Sequence, residues 1–394
     1  MDSSPLVSVL ITTYNRSHLL RRAIDSVLMQ DFRDFEIVVI DDCSTDDTPD
    51  IVASVDDPRI RYIRNETNVG SKGGDRAILR KFIYELMRGK YWVYLCDDDY
   101  WLLPDLLSRQ VAAFRGNRDL VMVIGGQLSY FLTTPEASFG RTADDPLTLN
   151  ASNLDQFVDP LTLASKTPYV SFMRAGSKPL FPKSLMTSDE FLACRASDPA
   201  GRNLIGGATL YSRELFIRSG ALKSTRGSKW QAGYELMMGP ACYGSVAYLD
   251  QPCIVTEIRA GNASFRGTQV QHYLDSIDSV EAAFATPVSD PALRLRHASL
   301  QAVKKETIRN LSRQFLGNTL TIRRSGELSL CSEENMREPV TLRDVAPVFG
   351  RYGIVPHLGD ITLYLHVALM PYLQTRPART VKSLLKPLLR IGRA

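Results

Sequence analysis

The first hundred residues alternate short apolar runs with helical patterns, and this alternation constrains the fold more than any other feature of the chain. The apolar runs, rich in β-branched and aromatic residues, occupy Leu6–Thr12, Phe35–Ile40, Arg59–Ile63 and Tyr91–Cys96. Runs of this length predict buried strands, because a helix would need more residues. Strands that alternate with helices over short links predict a mostly parallel sheet with helices on both faces, so the fold class is α/β.

The segments between these runs predict the helices that connect the strands. Ser17 stands where it can cap the first helix, and Pro49 fits the first turn of a short second one. A third helix is expected from about Asp75 to Arg88, with Gly89 as its C-cap. A further strand is expected at Leu120–Ile124.

Polar side chains follow three of the predicted strands directly. They are Thr13, Tyr14 and Arg16 after the first strand, Asp41 and Asp42 after the second, and Asp97, Asp98 and Asp99 after the strand at residues 91–96. Because the carboxyl ends of parallel strands meet at one edge of a sheet, we expect the three clusters to share a ligand crevice. Three adjacent carboxylates repel one another unless a cation or hydrogen-bond donors lie among them. The acidic cluster therefore predicts a Mg²⁺ or Mn²⁺ site that holds a diphosphate, with a solvated acidic turn as the alternative.

The first strand is not followed by either of the common glycine-rich phosphate loops, GxGxxG or GxxxxGK[ST]. Phosphates would then be held by a metal ion and by side chains. Mg²⁺ and Mn²⁺ prefer oxygen ligands and complete their coordination with phosphate oxygens and water, so one or two carboxylates are enough.

Four segments in this order resemble the motifs of inverting family 2 glycosyltransferases of the GT-A fold. They are VSVLITTYNR at residues 7–16, EIVVIDDCSTDDT at 36–48, NETNVG at 65–70 and YLCDDDYWLLPDLLSRQV at 94–111. The resemblance implies a nucleotide-diphospho-sugar donor, with a UDP-sugar favoured, and a divalent metal ion, Mn²⁺ or Mg²⁺.

The resemblance also implies roles for individual residues. Thr13, Tyr14 and Arg16 would lie near the nucleotide, and Asp41 or Asp42 would accept a hydrogen bond from the imide N–H of the base. Asp97–Asp99 match the DXD region, in which Asp97 and Asp98 would contact the donor and Asp98 and Asp99 the metal. Arg76 would reach the diphosphate, although its surroundings depart from the usual pattern. Cys96 stands where many relatives carry an Asp.

The general base of the proposed reaction is the weakest part of the resemblance. Relatives supply it from an acidic pair at the start of a helix, and that pair aligns here with Ala232 and Gly233. Glu235 is the nearest carboxylate and our candidate, although two residues along a helix is about 200° of rotation. Asp189 or Asp198 is a second possibility, and a chain without a carboxylate base is the third.

The resemblance and the helical pattern that follows it divide the chain into three parts, and the last part lies outside the resemblance. Residues 1–115 would form the nucleotide-sugar-binding half of a GT-A domain and residues 116–270 the acceptor-binding half. Residues 271–394 would form a helical C-terminal extension that packs on the domain or pairs two subunits in a homodimer. The stretch from about 133 to 200 lacks clear periodicity and predicts an irregular insertion, either a binding loop or a disordered one.

Three smaller features of the second half resemble the family without a decided role. The small residues of 206–210 would lie under the acceptor site, or form a plain tight turn. Arg259 and Asn262 would face the diphosphate or the acceptor, or have ordinary surface roles.

The C-terminal tail, residues 376–394, interleaves six Lys and Arg with leucines and contains no acid. This pattern is typical of a segment that lies on an anionic membrane surface, with a solvated tail as the alternative. No apolar run approaches the roughly 20 residues that span a bilayer, and the N-terminus lacks the features of a signal peptide. The six cysteines form no CxxC pair, which favours reduced thiols. We therefore expect a cytoplasmic protein, either free or peripheral on the cytoplasmic membrane face. The net charge of +4 gives no reason to expect nucleic acid as a partner.

The sequence thus predicts a metal-dependent glycosyltransferase that moves a sugar from a nucleotide-diphospho-sugar to an acceptor hydroxyl with inversion. Its acceptor would be a glycan, a lipid-linked sugar or a small metabolite, in the synthesis of cell-surface glycans, glycolipids or glycosylated metabolites. The alternatives are a catalytically inactive sugar-nucleotide-binding protein and a nucleotidyltransferase. The latter usually needs a glycine-rich basic loop after the first strand, which this chain lacks.

Overall fold

A computed structural model of the chain describes residues 4–70, 75–131, 170–172, 181–197, 207–223, 233–258, 269–325, 340 and 342–354. These residues contain one mixed sheet. Its strands are β1 (Val7–Thr13), β2 (Phe35–Asp41), β3 (Ile60–Arg64), β4 (Tyr91–Cys96), β5 (Asp99–Trp101), β6 (Leu120–Phe131), β7 (Val170–Phe172), β8 (Leu185–Met186), β9 (Thr209–Ser212) and β10 (Ser245–Ile258).

The strand order is β3-β2-β1-β4-β9-β6-β10-β5, with β7 paired to β6 and β8 paired to β10. The first four strands are parallel, as predicted. Strand β9 runs antiparallel to both of its neighbours, β4 and β6, and so joins the parallel N-terminal strands to the rest of the sheet. The α/β fold class is confirmed, and the second half of the sheet is mixed because β5, β7, β8 and β9 are antiparallel to their partners.

Helices surround the sheet and continue into the C-terminal part. They are α1 (Ser17–Leu28), α2 (Thr48–Ala53), α3 (Asp75–Lys81), α4 (Leu106–Gly116), α5 (Ser188–Ser197), α6 (Arg213–Arg218), α7 (Gly233–Ala241), α8 (Gln269–Ser289), α9 (His297–Ser325) and α10 (Leu342–Tyr352). A π-helical turn, Phe82–Leu86, follows α3, and a 3₁₀ helix, Pro291–Arg296, precedes α9. The helical C-terminal part is therefore confirmed as far as the described residues extend. None of the helices in these ranges combines the length and the apolarity needed to cross a bilayer.

The sheet is covered on both faces because alternate residues of its buried strands enter two separate cores. Val9 and Ile11 of β1 pack in the core that contains α1 and α4. Leu10 of the same strand packs in the larger core that contains α3 and the helices α5 to α10. Burial on both faces explains why the first strands read as continuous apolar runs.

Three local predictions were wrong. Ser17 does not cap α1 but begins it, and its N–H donates to Asp46 of the next loop at 2.9 Å. The third helix ends before Arg88, because the chain passes through the π-helical turn and is extended at Met87. Gly89 is not a helix cap: a Cβ there would lie 2.6 Å from the Ser8 nitrogen of β1, so only glycine allows this approach.

The stretch from 133 to 200, predicted to be irregular, contains regular structure. It includes β7, β8 and the ten-residue helix α5. The sequence did not reveal α5 as an amphipathic helix, because its buried face includes the charged Arg195 beside Phe191, Leu192 and Ala196.

Candidate active site

The strand register brings the three polar clusters to one edge of the sheet. Thr13 lies opposite Asp41 in the β1–β2 ladder, and Thr12 lies opposite Cys96 in the β1–β4 ladder. The carboxyl ends of β1, β2 and β4 are therefore neighbours, and the clusters that follow them meet as the sequence predicted.

The loop after β1 is held by the loop after β2. Asn15 has a positive φ of 51°, a backbone conformation that Asn tolerates better than most residues. Its N–H donates to the Ser44 hydroxyl at 2.9 Å, and its side-chain oxygen accepts from the Thr45 N–H at 2.7 Å. These bonds fix the turn that carries Tyr14 and Arg16. Tyr14 is 45% exposed and is available to a ligand, whereas Thr13 is buried.

Asp41 and Asp42 are engaged with the protein itself. Asp41 is fully buried and accepts from the Ser44 N–H at 2.8 Å and from the Tyr62 hydroxyl at 2.5 Å. Burial raises the pKa of Tyr62, and its bond to Asp41 adds to the rise, so Tyr62 remains the donor.

The Asp42 carboxylate holds the turn after β3. It accepts from the Asn65 side chain at 2.8 Å and from the N–H groups of Val69 and Gly70 at 2.8 and 2.6 Å. A Cβ on Gly70 would lie 2.9 Å from this carboxylate, so the glycine makes the contact possible. Recognition of the base by Asp41 or Asp42 stays a prediction, and each carboxylate already shapes the wall of the crevice.

Arg16 neutralises part of the acidic cluster after β4. Its Nη1 donates to Asp97 Oδ1 at 3.0 Å and to Asp98 Oδ2 at 2.9 Å. Burial alone would lower the pKa of Arg16, but the two carboxylates raise it, and the guanidinium stays charged. Burial raises the pKa of Asp97 to about 7, with the charge of Asp98 adding to the rise and Arg16 opposing it.

Asp99 is the third carboxylate of the acidic cluster. It is buried, and its Oδ1 has no hydrogen-bond partner among the described residues. Burial raises the pKa of Asp99 well above its ordinary value, and the charge of Asp98 adds to this. A buried carboxylate oxygen without a donor is costly unless a proton or a cation compensates it.

The donor set suits a divalent cation. Cys96, Asp98 and Asp99 each offer one ligand atom, and these atoms lie within 4.8 Å of one another. The carboxylate oxygens are ligands that Mg²⁺ and Mn²⁺ prefer. Such an ion would compensate the buried Asp99 oxygen that has no hydrogen-bond donor among the described residues. The residues therefore fit the ion that the sequence predicted.

The small-residue segment near 206–210 has a packing explanation. A Cβ on Gly207 would lie 2.8 Å from the Tyr94 carbonyl and 2.9 Å from the Leu95 Cα, both on β4. Trp101 of β5 donates its indole N–H to the Gly207 carbonyl. Gly207 thus lets the chain enter β9 against β4, next to the acidic cluster. Gly206 lies outside the described residues.

Arg76 and Glu235, predicted to contact the diphosphate and to act as base, form an ion pair with each other. Glu235 lies in the first turn of α7, is 1% exposed, and also accepts from the Leu222 N–H at 3.1 Å. Burial raises the pKa of Glu235, while Arg76 and the Leu222 N–H offset part of the rise. A raised pKa suits a base, but the buried pair separates this carboxylate from solvent.

The other base candidate within the described residues is a surface group. Asp189 is 75% exposed at the start of α5 and pairs with Arg296. Asp198, Ala232, Arg259, Asn262 and the tail at residues 376–394 lie outside the described residues.

Two supporting contacts could not be found from the sequence. Thr256 of β10 lies directly opposite Asp99 of β5, and the Arg22 guanidinium stacks on the Tyr100 ring at 4.1 Å. Thr256 is far from the motif along the chain, and only the pairing of β5 with β10 brings it there. Arg22 lies on α1, and the sequence marked it only as a polar residue of that helix.

The family to which the N-terminal part belongs follows from the sequence profile that it matches. The profile of Glycosyl transferase family 2 matches residues 8–177, the stretch that carries all three polar clusters. Residues 8–177 belong to glycosyltransferase family 2. This agrees with the resemblance of the four sequence motifs.

Curated relatives of this family 2 domain match its N-terminal part. The chain is 37% identical over 111 residues to the succinoglycan biosynthesis protein ExoO of Rhizobium meliloti. This alignment covers 28% of this chain and 30% of that protein. It is 36% identical over 104 residues to WfaP of Escherichia coli, a UDP-Glc:alpha-D-GlcNAc-diphosphoundecaprenol beta-1,3-glucosyltransferase, covering 26% and 39% of the two chains. The chain thus matches well under half the length of these relatives.

The fold has a solved counterpart. The crystal structure of S. aureus TarS 1-349 in complex with UDP-GlcNAc aligns with a TM-score of 0.55, over 95% of this chain and 93% of that chain, at 16% identity. At this identity the likeness shows the fold, and it confirms the GT-A fold for the family 2 domain.

Proposed function

We propose that the protein is a metal-dependent, inverting glycosyltransferase that transfers a sugar from a UDP-sugar to an acceptor hydroxyl. The observation that carries the proposal is the pairing of Arg16 with Asp97 and Asp98, beside the buried Asp99, at the strand ends of a family 2 domain. The related E. coli enzyme uses UDP-Glc and a lipid-linked acceptor, and TarS binds UDP-GlcNAc. The activities of these two proteins support a UDP-sugar donor and a role in the synthesis of cell-surface glycans.

The proposal assigns separate tasks to the residues of the crevice. Tyr14 and the turn held by Asp42 would line the nucleotide site, and Arg16 would offer its charge to the diphosphate. Asp98 and Asp99 would hold Mn²⁺ or Mg²⁺, which when bound neutralises the charge that develops on the departing diphosphate.

Arg76 would first bind the diphosphate of the donor, and Glu235 would then act as the general base. Arg76 lies in a buried ion pair with Glu235, and a diphosphate is a stronger attraction for a guanidinium than a single carboxylate. If Arg76 moves to the donor, Glu235 is left as a buried carboxylate with a raised pKa that can accept the acceptor's proton. The reaction would then run in line, with the acceptor oxygen attacking the anomeric carbon opposite the diphosphate.

A second candidate function is a sugar-nucleotide-binding protein without transfer activity. It is favoured by the burial of Glu235 in its ion pair and by the absence of a carboxylate on Gly233. Such a protein would bind nucleotide and metal but neither transfer the sugar nor hydrolyse the donor.

A thermal-shift panel tests the donor and the metal together. We expect UDP-sugars with Mn²⁺ to raise Tm, because a ligand at 100 times its Kd stabilises the folded state by about 2.7 kcal/mol. GDP-, dTDP- and CDP-sugars should have smaller effects, and a chelator should remove the UDP-dependent shift. Equal shifts for all four donor classes, or a shift that persists with chelator, would contradict the proposal.

The basic tail is proposed to hold the protein on an anionic membrane, where a lipid-linked acceptor would lie. We expect the full chain to co-sediment with phosphatidylglycerol vesicles, and a chain truncated after Leu373 to remain in solution, because the tail supplies both cations and leucines. Binding should weaken as salt increases. Neutral phosphatidylcholine vesicles are the control, and equal binding of both chains to anionic vesicles would rule out this role for the tail.

A further inference from the structure

Cys96 occupies the last position of β4, at the edge where the acidic cluster begins. It is half-buried, forms no disulfide, and lies opposite Thr12 in the β1–β4 ladder. Its sulfur lies within 4.8 Å of a carboxylate oxygen of Asp98 and of one of Asp99. The thiol thus belongs to the same cluster as the two proposed metal ligands.

The spacing of these three atoms matches what one ion can bridge. Metal–sulfur bonds are about 2.3 Å long and metal–oxygen bonds about 2.1 Å. Three atoms within 4.8 Å of one another lie at most about 2.8 Å from a common point, so one ion could contact all three side chains after movements of roughly half an ångström.

A second observation points to a cation at this position. Asp99 Oδ1 is buried and has no partner among the described residues, whereas the nearby Arg16 binds Asp97 and Asp98. Arg22, the other neighbouring cation, stacks on Tyr100 and donates to the backbone carbonyl of Asp98 at 3.3 Å. The buried Oδ1 of Asp99 is therefore the oxygen that a bound cation would compensate.

We propose that Cys96 is itself a metal ligand, so that the ion of the donor site is held by one sulfur and two carboxylate oxygens. This inference rests on the proposed function, which supplies the ion. Binding as a thiolate releases the thiol proton to solvent. A sulfur ligand favours softer divalent ions over Mg²⁺, and the site would prefer Co²⁺, Zn²⁺ and Cd²⁺ as well as Mn²⁺ to Mg²⁺.

Cobalt reports directly on sulfur ligation. We expect the full chain, titrated with Co²⁺ in the presence of UDP, to gain the near-ultraviolet absorption of sulfur-to-cobalt charge transfer. Cys96→Ser should lose this absorption and bind Cd²⁺ at least about tenfold more weakly, while its Mg²⁺ affinity changes little. Cys43→Ser is the matched control, since Cys43 is also half-buried and in a loop of the same sheet edge, and it should keep the absorption.

The other outcomes distinguish a failure of the sulfur ligand from a failure of the proposed function. Co²⁺ that raises Tm without the charge-transfer absorption, or absorption that survives in Cys96→Ser, overturns the sulfur ligand and leaves the metal-dependent transferase intact. If Co²⁺ with UDP produces neither a Tm shift nor absorption, both the sulfur ligand and the metal requirement fail. If the absorption appears but no nucleotide-sugar stabilises the protein, the metal site stands and the proposed transferase does not.

Discussion

Asp98→Asn is expected to reduce sugar transfer at least about 100-fold while leaving the fold intact, because the variant loses a ligand that stabilises charge developing in the transition state. The amide has the shape of the carboxylate, so packing around β4 is preserved. Asp98 also repels Asp97 and Asp99, and removing its charge relieves that repulsion. The variant should therefore keep a Tm close to that of the wild type.

The measurement is the release of UDP from the donor that stabilises the protein, with a lipid-linked sugar as acceptor, alongside the Mn²⁺-dependent shift in Tm. Asp99→Asn should behave in the same way, since Asp99 supplies the second proposed oxygen ligand. Asp105→Asn is the matched control: Asp105 lies just before α4, is partly exposed, and pairs with Arg109. Rates near the wild-type value for both Asp98→Asn and Asp99→Asn would remove the metal assignment.

The donor side of this site was predictable because it depends on local patterns and a general rule of sheets. The strand Tyr91–Cys96 was predicted with the bounds that the structure has, since an apolar run ends abruptly at charged residues. The meeting of Asp41 and the acidic cluster at one edge followed from parallel strands, without any knowledge of their contacts.

The contacts that shape the site were not predictable, because they join residues that are distant along the chain. Asp46, in the loop after β2, accepts a hydrogen bond from the first residue of α1, and the hydroxyl of Tyr62 on β3 donates to Asp41. The residue types offered no signal, since acidic and hydroxyl side chains are common in loops and strands. Antiparallel β9, which enters the sheet between β4 and β6, also has no local signature of its position.

The acceptor side also depends on a contact between residues that are distant along the chain. Arg76 and Glu235 are 159 residues apart in sequence, and each was assigned a separate role. Their ion pair joins α3 to α7 across the larger core, and it decides what either residue can do. Any account of the base must therefore begin with the energetics of that pair.

Glu235→Gln is expected to lower both stability and transfer. Breaking a buried ion pair by removing one partner costs about 3–5 kcal/mol, because it leaves an uncompensated buried charge, here that of Arg76. Glutamine retains an oxygen for the Leu222 N–H, so the loss in the free energy of unfolding should lie at the lower end, about 3 kcal/mol. Loss of a general base should also reduce transfer by about 100-fold to 10,000-fold.

The double variant Arg76→Gln/Glu235→Gln separates the two effects. Two neutral amides remove the unpaired charge, so urea unfolding should show that much of the lost stability returns, and the coupling energy of the cycle measures the pair. Transfer should not return with it, since neither the base nor the guanidinium for the diphosphate is restored. Arg80→Gln, an exposed change on the same helix as Arg76, is the control and should alter neither property.

Full activity in Glu235→Gln would eliminate Glu235 as the base. Recovery of transfer in step with stability in the double variant would show instead that the pair positions α3 and α7, and that the proton leaves the acceptor by another route.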